Sequence, residues 1–249
     1  MLDGKHIRIT PPPGSGALYY NYKNFYSTVL LAVVNHNYEF VFVDVGKQGR
    51  LSDGGVFSAT CFGKGLRDNK LNLPGNDETE EGLNFSFIGD EAFALGPNLL
   101  TPYSTFNSTH DKRIFNYRIS RARNVVENTF GIIARVFRVL HTPINIAPEK
   151  TNYIVFAICH LHNFLRRSSS NFNSSTTNFH EHIGSDFFNS QNAFKQEELL
   201  STNNIMAPLQ CCSRNSSFIS KNNRELYNRY YNGVGKVSWQ EEMIRAGKN

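Results

Sequence analysis

The stretch 116–140, NYRISRARNVVENTFGIIARVFRVL, constrains the fold of this chain most. It contains five arginines, no lysine and a single carboxylate, Glu127. Glu127 lies about 100° around the helix from Val126, at the edge of an apolar stripe, and one turn after Arg123. Two interpretations of Glu127 stay open: an ordinary ion pair with Arg123, or the last ligand of a metal site that faces DNA. The stripe itself is typical of a buried helix face, because its residues recur at steps of three and four: Ile119, Ala122, Val126, Phe130, Ile133, Phe137 and Leu140.

Composition narrows the class of protein. The chain has 249 residues, a net charge of +5 and a pI of about 9.0, which suits a polyanionic partner. Its four cysteines show no CxxC spacing and no paired framework, so a zinc finger or a secreted disulfide framework is disfavoured and a reducing intracellular compartment is favoured. The opening MLDGKHIRIT lacks the apolar core of a signal peptide, and no apolar run approaches the length of a membrane span.

Apolar and turn patterns predict the order of elements in the first two thirds of the chain. We expect three strands joined as an antiparallel meander, with a turn at 35–37, then a short helix over 54–62 capped by Ser52 or Asp53. An exposed loop over 69–81, a fourth strand over 84–89 and a buried helix over 149–165 complete the pattern. The first three strands are predicted at 2–9, 25–34 and 38–45.

The composition shifts sharply after residue 167. Residues 168–223 are rich in Asn and Ser without a stable period, which predicts a flexible, disordered linker holding one short helix near 192–200. Residues 224–249 regain a helical pattern and are expected to fold back on a domain formed by residues 1–167.

The order strand, strand, strand, helix, strand, helix is that of an RNase H-like α/β fold, in which helices flank a mixed sheet. In such a fold, acids near strand ends and on an adjoining helix can meet. Asp3, Asp90 and Glu127 occupy such positions. Clustered carboxylates favour Mg²⁺ or Mn²⁺, and two such ions support phosphodiester hydrolysis.

Several motifs in a fixed order resemble the PIF/Harbinger transposases and the nucleases derived from them, within the DDE endonuclease superfamily. They cover nearly the whole chain except the Asn/Ser-rich segment: LDGKHIRITPP, YYNYKNFYSTVLLAVV, VDVGKQGRLSDGGVF, FIGDEAFALGPNLLTPY, NYRISRARNVVENTFGIIARVFRVL, CHLHNFLRR and YNGVGKVSWQEEMI. The resemblance implies a metal-dependent DNA endonuclease, a nuclear location and a separate Myb-like DNA-binding partner.

The resemblance also implies roles for individual acids. Asp3 matches the first acid and Glu127 the last. Asp53 and Asp90 both match motif acids offered as metal ligands; Asp90 is preferred as the second core ligand because it follows the fourth strand. Asp53 is expected as an accessory ligand, with a helix cap as its alternative role.

Basic residues beside these acids are candidates for contact with the DNA backbone. Lys5 shares a strand face with Asp3, and Arg118, Arg121 and Arg123 precede Glu127 on its helix. A solvated basic face is the alternative interpretation of the arginines.

The beginning of the chain raises a second functional hypothesis. The family carries a DNA-binding helix-turn-helix region ahead of its catalytic core, whereas this chain begins two residues before Asp3. A short first strand would hold Asp3 loosely, and activity would then be lost through truncation. A non-catalytic DNA-binding or scaffold protein is therefore the alternative to a nuclease.

Overall fold

The structure is a computed structural model that describes residues 1–79, 82–106, 108–172 and 216–246. It has a mixed α/β architecture with small sheets. The strands are β1 (Leu2–Arg8), β2 (Ser27–Val34), β3 (Phe40–Gln48), β4 (Phe87–Ile88) and β5 (Leu99–Leu100). The α-helices are α1 (Asp53–Ala59), α2 (Cys61–Arg67), α3 (His110–Val136), α4 (Pro148–Phe172), α5 (Phe218–Asn232) and α6 (Gln240–Arg245), and short 3₁₀ turns lie at Asn76–Glu78 and Arg138–Leu140.

The predicted meander is confirmed, with β2 between β1 and β3 and both pairings antiparallel. Every residue of β2 is buried, which explains its unbroken apolar run. The turn between β2 and β3 is built by Asn35, whose side-chain oxygen accepts hydrogen bonds from the backbone N–H groups of Asn37 and Glu39. Asp3 pairs with Ala32 inside a ladder that runs along the whole of β1, so the first strand holds it firmly.

The expectation of one mixed sheet was wrong in detail. Among the described residues, β4 and β5 form a separate two-stranded parallel sheet, and β1 does not pair with β4. Instead, just after β1, Ile9 forms a single parallel bridge with Ile144. The predicted fourth strand shortens to two residues. Just before it, the Phe85 backbone carbonyl accepts a hydrogen bond from the Asn98 side-chain amide, so a side chain satisfies this carbonyl in place of a neighbouring strand.

The arginine-rich helix is confirmed as α3, although it begins six residues before the predicted stretch and ends at Val136. Ile119, Val126, Phe130 and Ile133 are buried, as the stripe predicts. The prediction was wrong at its end: Phe137 is the C-terminal cap and the Leu140 region forms the 3₁₀ turn. The buried stripe of α3 joins β1, β2 and α4 in one apolar core.

The C-terminal helices pack mainly against α3, and tyrosines of α5 also contact β4 and β5. Phe115 of α3 contacts the rings of Tyr103 and Tyr231, with centroid distances of 5.0 and 5.8 Å. Helix α5 begins at Phe218, inside the range predicted as linker, and α4 continues beyond the predicted end of the helix at 149–165. The helix predicted near 192–200 lies outside the described residues. No helix in the described ranges has the length and hydropathy that crossing a membrane requires.

Candidate active site

Three aspartates from three different elements lie close enough for their charges to interact: Asp3 on β1, Asp53 at the start of α1 and Asp90 just after β4. A shared apolar cluster beneath them brings these elements together. Leu2, Val56 and Phe93, each within three residues of one aspartate, are buried in that cluster against β2. Burial of these apolar neighbours therefore gathers three carboxylates that would otherwise repel one another.

Asp3 is a desolvated acid. Its pKa is raised to about 7, mainly by burial; a hydrogen bond from the Gly4 N–H at 2.8 Å opposes the increase, and the negative charges of Asp90 and Asp53 add to it. Arg123 acts in the opposite direction. A carboxylate held in this environment is stabilised by a cation more than by water.

Asp53 does not cap α1, because the Ser52 hydroxyl takes that role by accepting from the Gly55 N–H. The Asp53 carboxylate instead lies directly against Gly4, where a Cβ atom would collide with it. Burial, followed by the charge of Asp90, raises the pKa of Asp53 to about 6. Its Oδ1 atom is buried and has no hydrogen-bond partner among the described residues, whereas most buried polar atoms in proteins are hydrogen-bonded.

Asp90 forms the tight turn expected after a strand and also faces the site. Its Oδ1 accepts from the Ala92 N–H at 2.9 Å, and its Oδ2 lies 3.7 Å from Nη1 of Arg123. The same loop closes against α1, because a Cβ on Gly54 would overlap the Ala92 carbonyl oxygen. The charges of both Asp53 and Asp90 act on Asp3, and Asp53 also contacts β1 directly at Gly4.

Glu127 shares an arginine with Asp90. Nη2 of Arg123 lies 2.7 Å from the Glu127 carboxylate, and Nη1 reaches Asp90. Among the described residues, no group of three or more His, Cys, Asp or Glu side chains is arranged to hold a metal ion. The donor chemistry of the aspartates nonetheless fits a divalent cation, since it offers hard carboxylate oxygens, one of them buried and without a partner in the part of the chain that the structure describes. For Glu127 to join them, Arg123 would have to release it.

The candidate DNA contacts separate into two groups. Arg118 donates to the Gly235 carbonyl and to Gln240, and it lies over the rings of Tyr231 and Trp239, so it holds the C-terminal helices. Arg121 likewise lies 4.2 Å from the centre of the Trp239 ring.

The other two candidates lie nearer to the acids. Arg123 lies inside the acid cluster, between Asp90 and Glu127. The Lys5 ammonium lies 5.8 Å from the centre of the Phe130 ring, one strand position beyond Gly4.

Sequence reasoning missed the loop that carries Tyr22 and Lys23. The pKa of the Tyr22 hydroxyl is raised by burial and, after a compensating effect of Lys23, by Asp53, Asp3 and Asp90. Tyr22 as a whole residue is 72 % exposed, so the burial that raises its pKa acts on only part of the side chain, and an aromatic surface stands beside the carboxylates. Lys23 in turn lowers the pKa of Asp53. No pattern in the sequence reports this proximity, because it depends on how the loop before β2 folds over His6 of β1.

A family model described as DDE superfamily endonuclease matches residues 2–163, and the chain belongs to that family. The Harbinger-type resemblance is thereby confirmed.

Two curated relatives illustrate the match. "Protein ALP1-like" of Arabidopsis thaliana is 32 % identical over 149 residues, which is 57 % of this chain and 36 % of that protein. "Putative nuclease HARBI1" of Homo sapiens is 27 % identical over 168 residues, 66 % of this chain and 44 % of that protein. The matched region thus spans less than half of either relative. No solved structure matches the chain significantly.

Proposed function

We propose that the chain is a metal-dependent DNA endonuclease of transposase origin. The observation that carries this proposal is the proximity of Asp3, Asp53 and Asp90, whose charges interact, together with a buried Asp53 oxygen that has no hydrogen-bond partner among the described residues. Membership of the endonuclease family and the basic net charge support a DNA substrate. The cofactor in this proposal is Mg²⁺ or Mn²⁺.

Each acid has a distinct part in the proposed chemistry. Bound divalent cations would supply an activated water and stabilise the leaving oxygen. Asp3 and Asp90 would be the core ligands, with Asp53 as the accessory ligand from the start of α1. Glu127 would complete the set once Arg123 turns away. Arg123 would then be available to hold a phosphate oxygen, for which a guanidinium is suited.

The same proposal extends to the fold and the cellular setting. The β1–β3 meander followed by helix, strand and long helix supports an RNase H-like assignment. A nuclear location and a Myb-like DNA-binding partner follow from the family resemblance alone.

Cleavage of DNA by the purified chain tests the proposal. Incubation with duplex DNA and Mg²⁺ or Mn²⁺ is expected to produce metal-dependent cuts that EDTA abolishes. Glu127→Gln keeps the size of the side chain but removes its charge, and it should abolish cutting. Equal cleavage by both proteins, or none by either, would reject an endonuclease that uses this site.

One observation favours a second candidate, a non-catalytic DNA-binding or scaffold protein. Arg123 already neutralises Glu127 and approaches Asp90, as expected if the acids serve only to stabilise the fold. That protein would bind DNA with a steep dependence on salt and would take up no Mn²⁺. Cleavage that disappears in Glu127→Gln would decide against it.

A further inference from the structure

Aromatic and basic side chains lie beside the acid cluster, on the side of β1 that faces α1. Side chains alternate along a strand, so Gly4, His6 and Arg8 lie on one face of β1. The Asp53 carboxylate lies against Gly4, and the Tyr22 ring lies against His6 with 5.4 Å between the ring centres. Successive positions on one face of a strand are about 7 Å apart, so the Tyr22 ring is a direct neighbour of the acids.

The row of side chains continues from Tyr22 towards the end of β1. The Phe25 ring lies 6.3 Å from the His6 ring, and the Arg8 guanidinium lies 4.5 Å from the centre of the Phe25 ring. The Lys23 ammonium lies 5.7 Å from the centre of the Tyr22 ring. Two cations therefore alternate with two aromatic rings. We call this set the β1 strip, and it consists of Arg8, Tyr22, Lys23 and Phe25.

The loop that carries Tyr22 is held by a buried side chain. Asn21 is only 3 % exposed. Its Oδ1 atom accepts from the backbone N–H groups of Lys23 at 2.9 Å and Phe25 at 3.3 Å, and its Nδ2 donates to the Ser27 hydroxyl at 2.9 Å. These bonds fix the backbone on both sides of Tyr22. The ring is thus ordered before any partner binds, which lowers the entropy lost on binding.

The ordered side chains of the strip are nevertheless open to solvent. Tyr22 is 72 % exposed, and Arg8 and Lys23 are exposed as well. Arg8 forms no ion pair with any residue that the structure describes. Guanidinium and ammonium groups bind phosphate oxygens, and a flat ring packs against a nucleotide. Basic groups interleaved with aromatic rings therefore suit a nucleic-acid strand.

The order of the groups along β1 matches a strand that passes over the acids. Tyr22 and Lys23 lie next to the aspartates, and the Lys23 charge lowers the pKa of Asp53. Arg8 lies four positions beyond Gly4, which is about 13 Å along the strand. A phosphate at the acids would thus have the Tyr22 ring beside it and a guanidinium further along.

We infer that the β1 strip binds the DNA strand on one side of the scissile phosphate. Tyr22 packs against the nucleotide nearest the acids, and Arg8 binds a phosphate further along. The inference rests on the proposed function for its DNA substrate. It adds the direction in which the strand leaves the acid cluster, towards the C-terminal end of β1. A ring and a phosphate-binding cation tolerate every base, so the strip binds without sequence preference.

Binding of a labelled duplex, measured by fluorescence anisotropy in EDTA over a series of salt concentrations, tests the strip separately from cleavage. Arg8→Gln should lower the slope of log affinity against log salt by about 1, as expected when one phosphate contact is lost. Tyr22→Ala should weaken binding about tenfold and leave the slope unchanged, because it removes an uncharged contact. Tyr22→Phe keeps the ring and should bind like wild type.

The chain offers a matched control for each side chain. Arg245 is exposed on α6, which packs against α3, so Arg245→Gln removes the same charge away from β1. Tyr153 is 75 % exposed on α4, which packs against β3, on the far side of β2 from β1. Arg245→Gln and Tyr153→Ala should leave both the affinity and the slope close to wild type. Thermal melting of every variant checks that the fold is retained.

Tyr22→Trp reports the contact directly. The emission of a tryptophan that stacks on a nucleotide is quenched, and the wild-type chain, whose single tryptophan is Trp239, provides the background. The emission added by Tyr22→Trp should fall when DNA is bound. The emission added by Tyr153→Trp should not change.

The outcomes separate the strip from the proposed function. Equal slopes for Arg8→Gln and Arg245→Gln, or equal affinities for Tyr22→Ala and Tyr153→Ala, would overturn the strip. If Tyr22→Ala lowers the melting temperature, Tyr22→Trp decides, and emission that DNA leaves unchanged overturns the strip. Absence of DNA binding by wild type would reject the DNA substrate and the strip together. Wild-type binding that no strip variant alters would reject the strip alone.

Discussion

Asp53→Asn is expected to stabilise the metal-free protein, because Asp53 carries a desolvated charge beside other carboxylates. Burial and the charge of Asp90 raise the pKa of Asp53 from 3.8 to about 6. That change corresponds to about 3 kcal/mol of unfolding free energy at a pH above 6. Solvent screening at this partly exposed site reduces the effect, so we expect a gain of about 1–2 kcal/mol.

The sign of the pH dependence follows from the direction of the pKa change. The folded protein binds the Asp53 proton more tightly than the unfolded chain does. The destabilisation caused by the Asp53 charge is therefore absent at a pH below 3.8, the pKa of Asp53 in the unfolded chain. It grows as the pH rises and is complete above about 6. The variant should therefore exceed wild type in stability at about pH 8 and match it at about pH 4.

Urea unfolding followed by far-UV circular dichroism, in EDTA at both pH values, measures the difference. Asp44→Asn is the matched control, since Asp44 lies on β3, on the far side of β2 from β1. It should change the unfolding free energy by less than about 0.5 kcal/mol. A variant at position 53 that is no more stable than wild type at the higher pH, or equally stabilised at both, would refute the reasoning.

Two further substitutions probe the packing around the site. Gly54→Ala should destabilise the fold by about 1–3 kcal/mol, because the added Cβ overlaps the Ala92 carbonyl oxygen. Gly55→Ala in the same helix is the control, since its Cβ meets only the Ser52 hydroxyl and stability should hardly change. Thermal melting of both variants measures the difference. Arg118→Ala removes two hydrogen bonds and two ring contacts and should cost about 1–3 kcal/mol, with a red shift of Trp239 emission. If it instead lowers only the salt dependence of DNA binding, its assignment to the C-terminal helices is wrong.

The sequence predicts those features of the fold and site that depend on residues a few positions apart. The pairing of Arg123 with Glu127 follows from their separation of four residues, and the burial of Val126 and Ile133 follows from the period of the helix. Asp3 on a first strand is similarly visible from the alternation around it.

Other parts of the site depend on contacts between distant residues, which no local pattern records. From the sequence, Asp53 is an ordinary candidate for a helix cap. The structure shows its carboxylate against Gly4, which lies 49 positions earlier in the chain. Arg118 resembles a DNA contact until Trp239 lies beside it. The loop at Tyr103 is fixed to α3 by the Asn116 side-chain amide, 13 residues further along the chain.

The central claim is that the gathered aspartates hold a divalent cation. Calorimetric titration of the wild-type chain with Mn²⁺, beside Asp3→Asn and Asp44→Asn, tests it most directly. The account predicts binding by wild type and by the Asp44 variant, with affinity at least about tenfold lower in Asp3→Asn. Absence of Mn²⁺ binding by wild type, or equal binding by all three proteins, would contradict it.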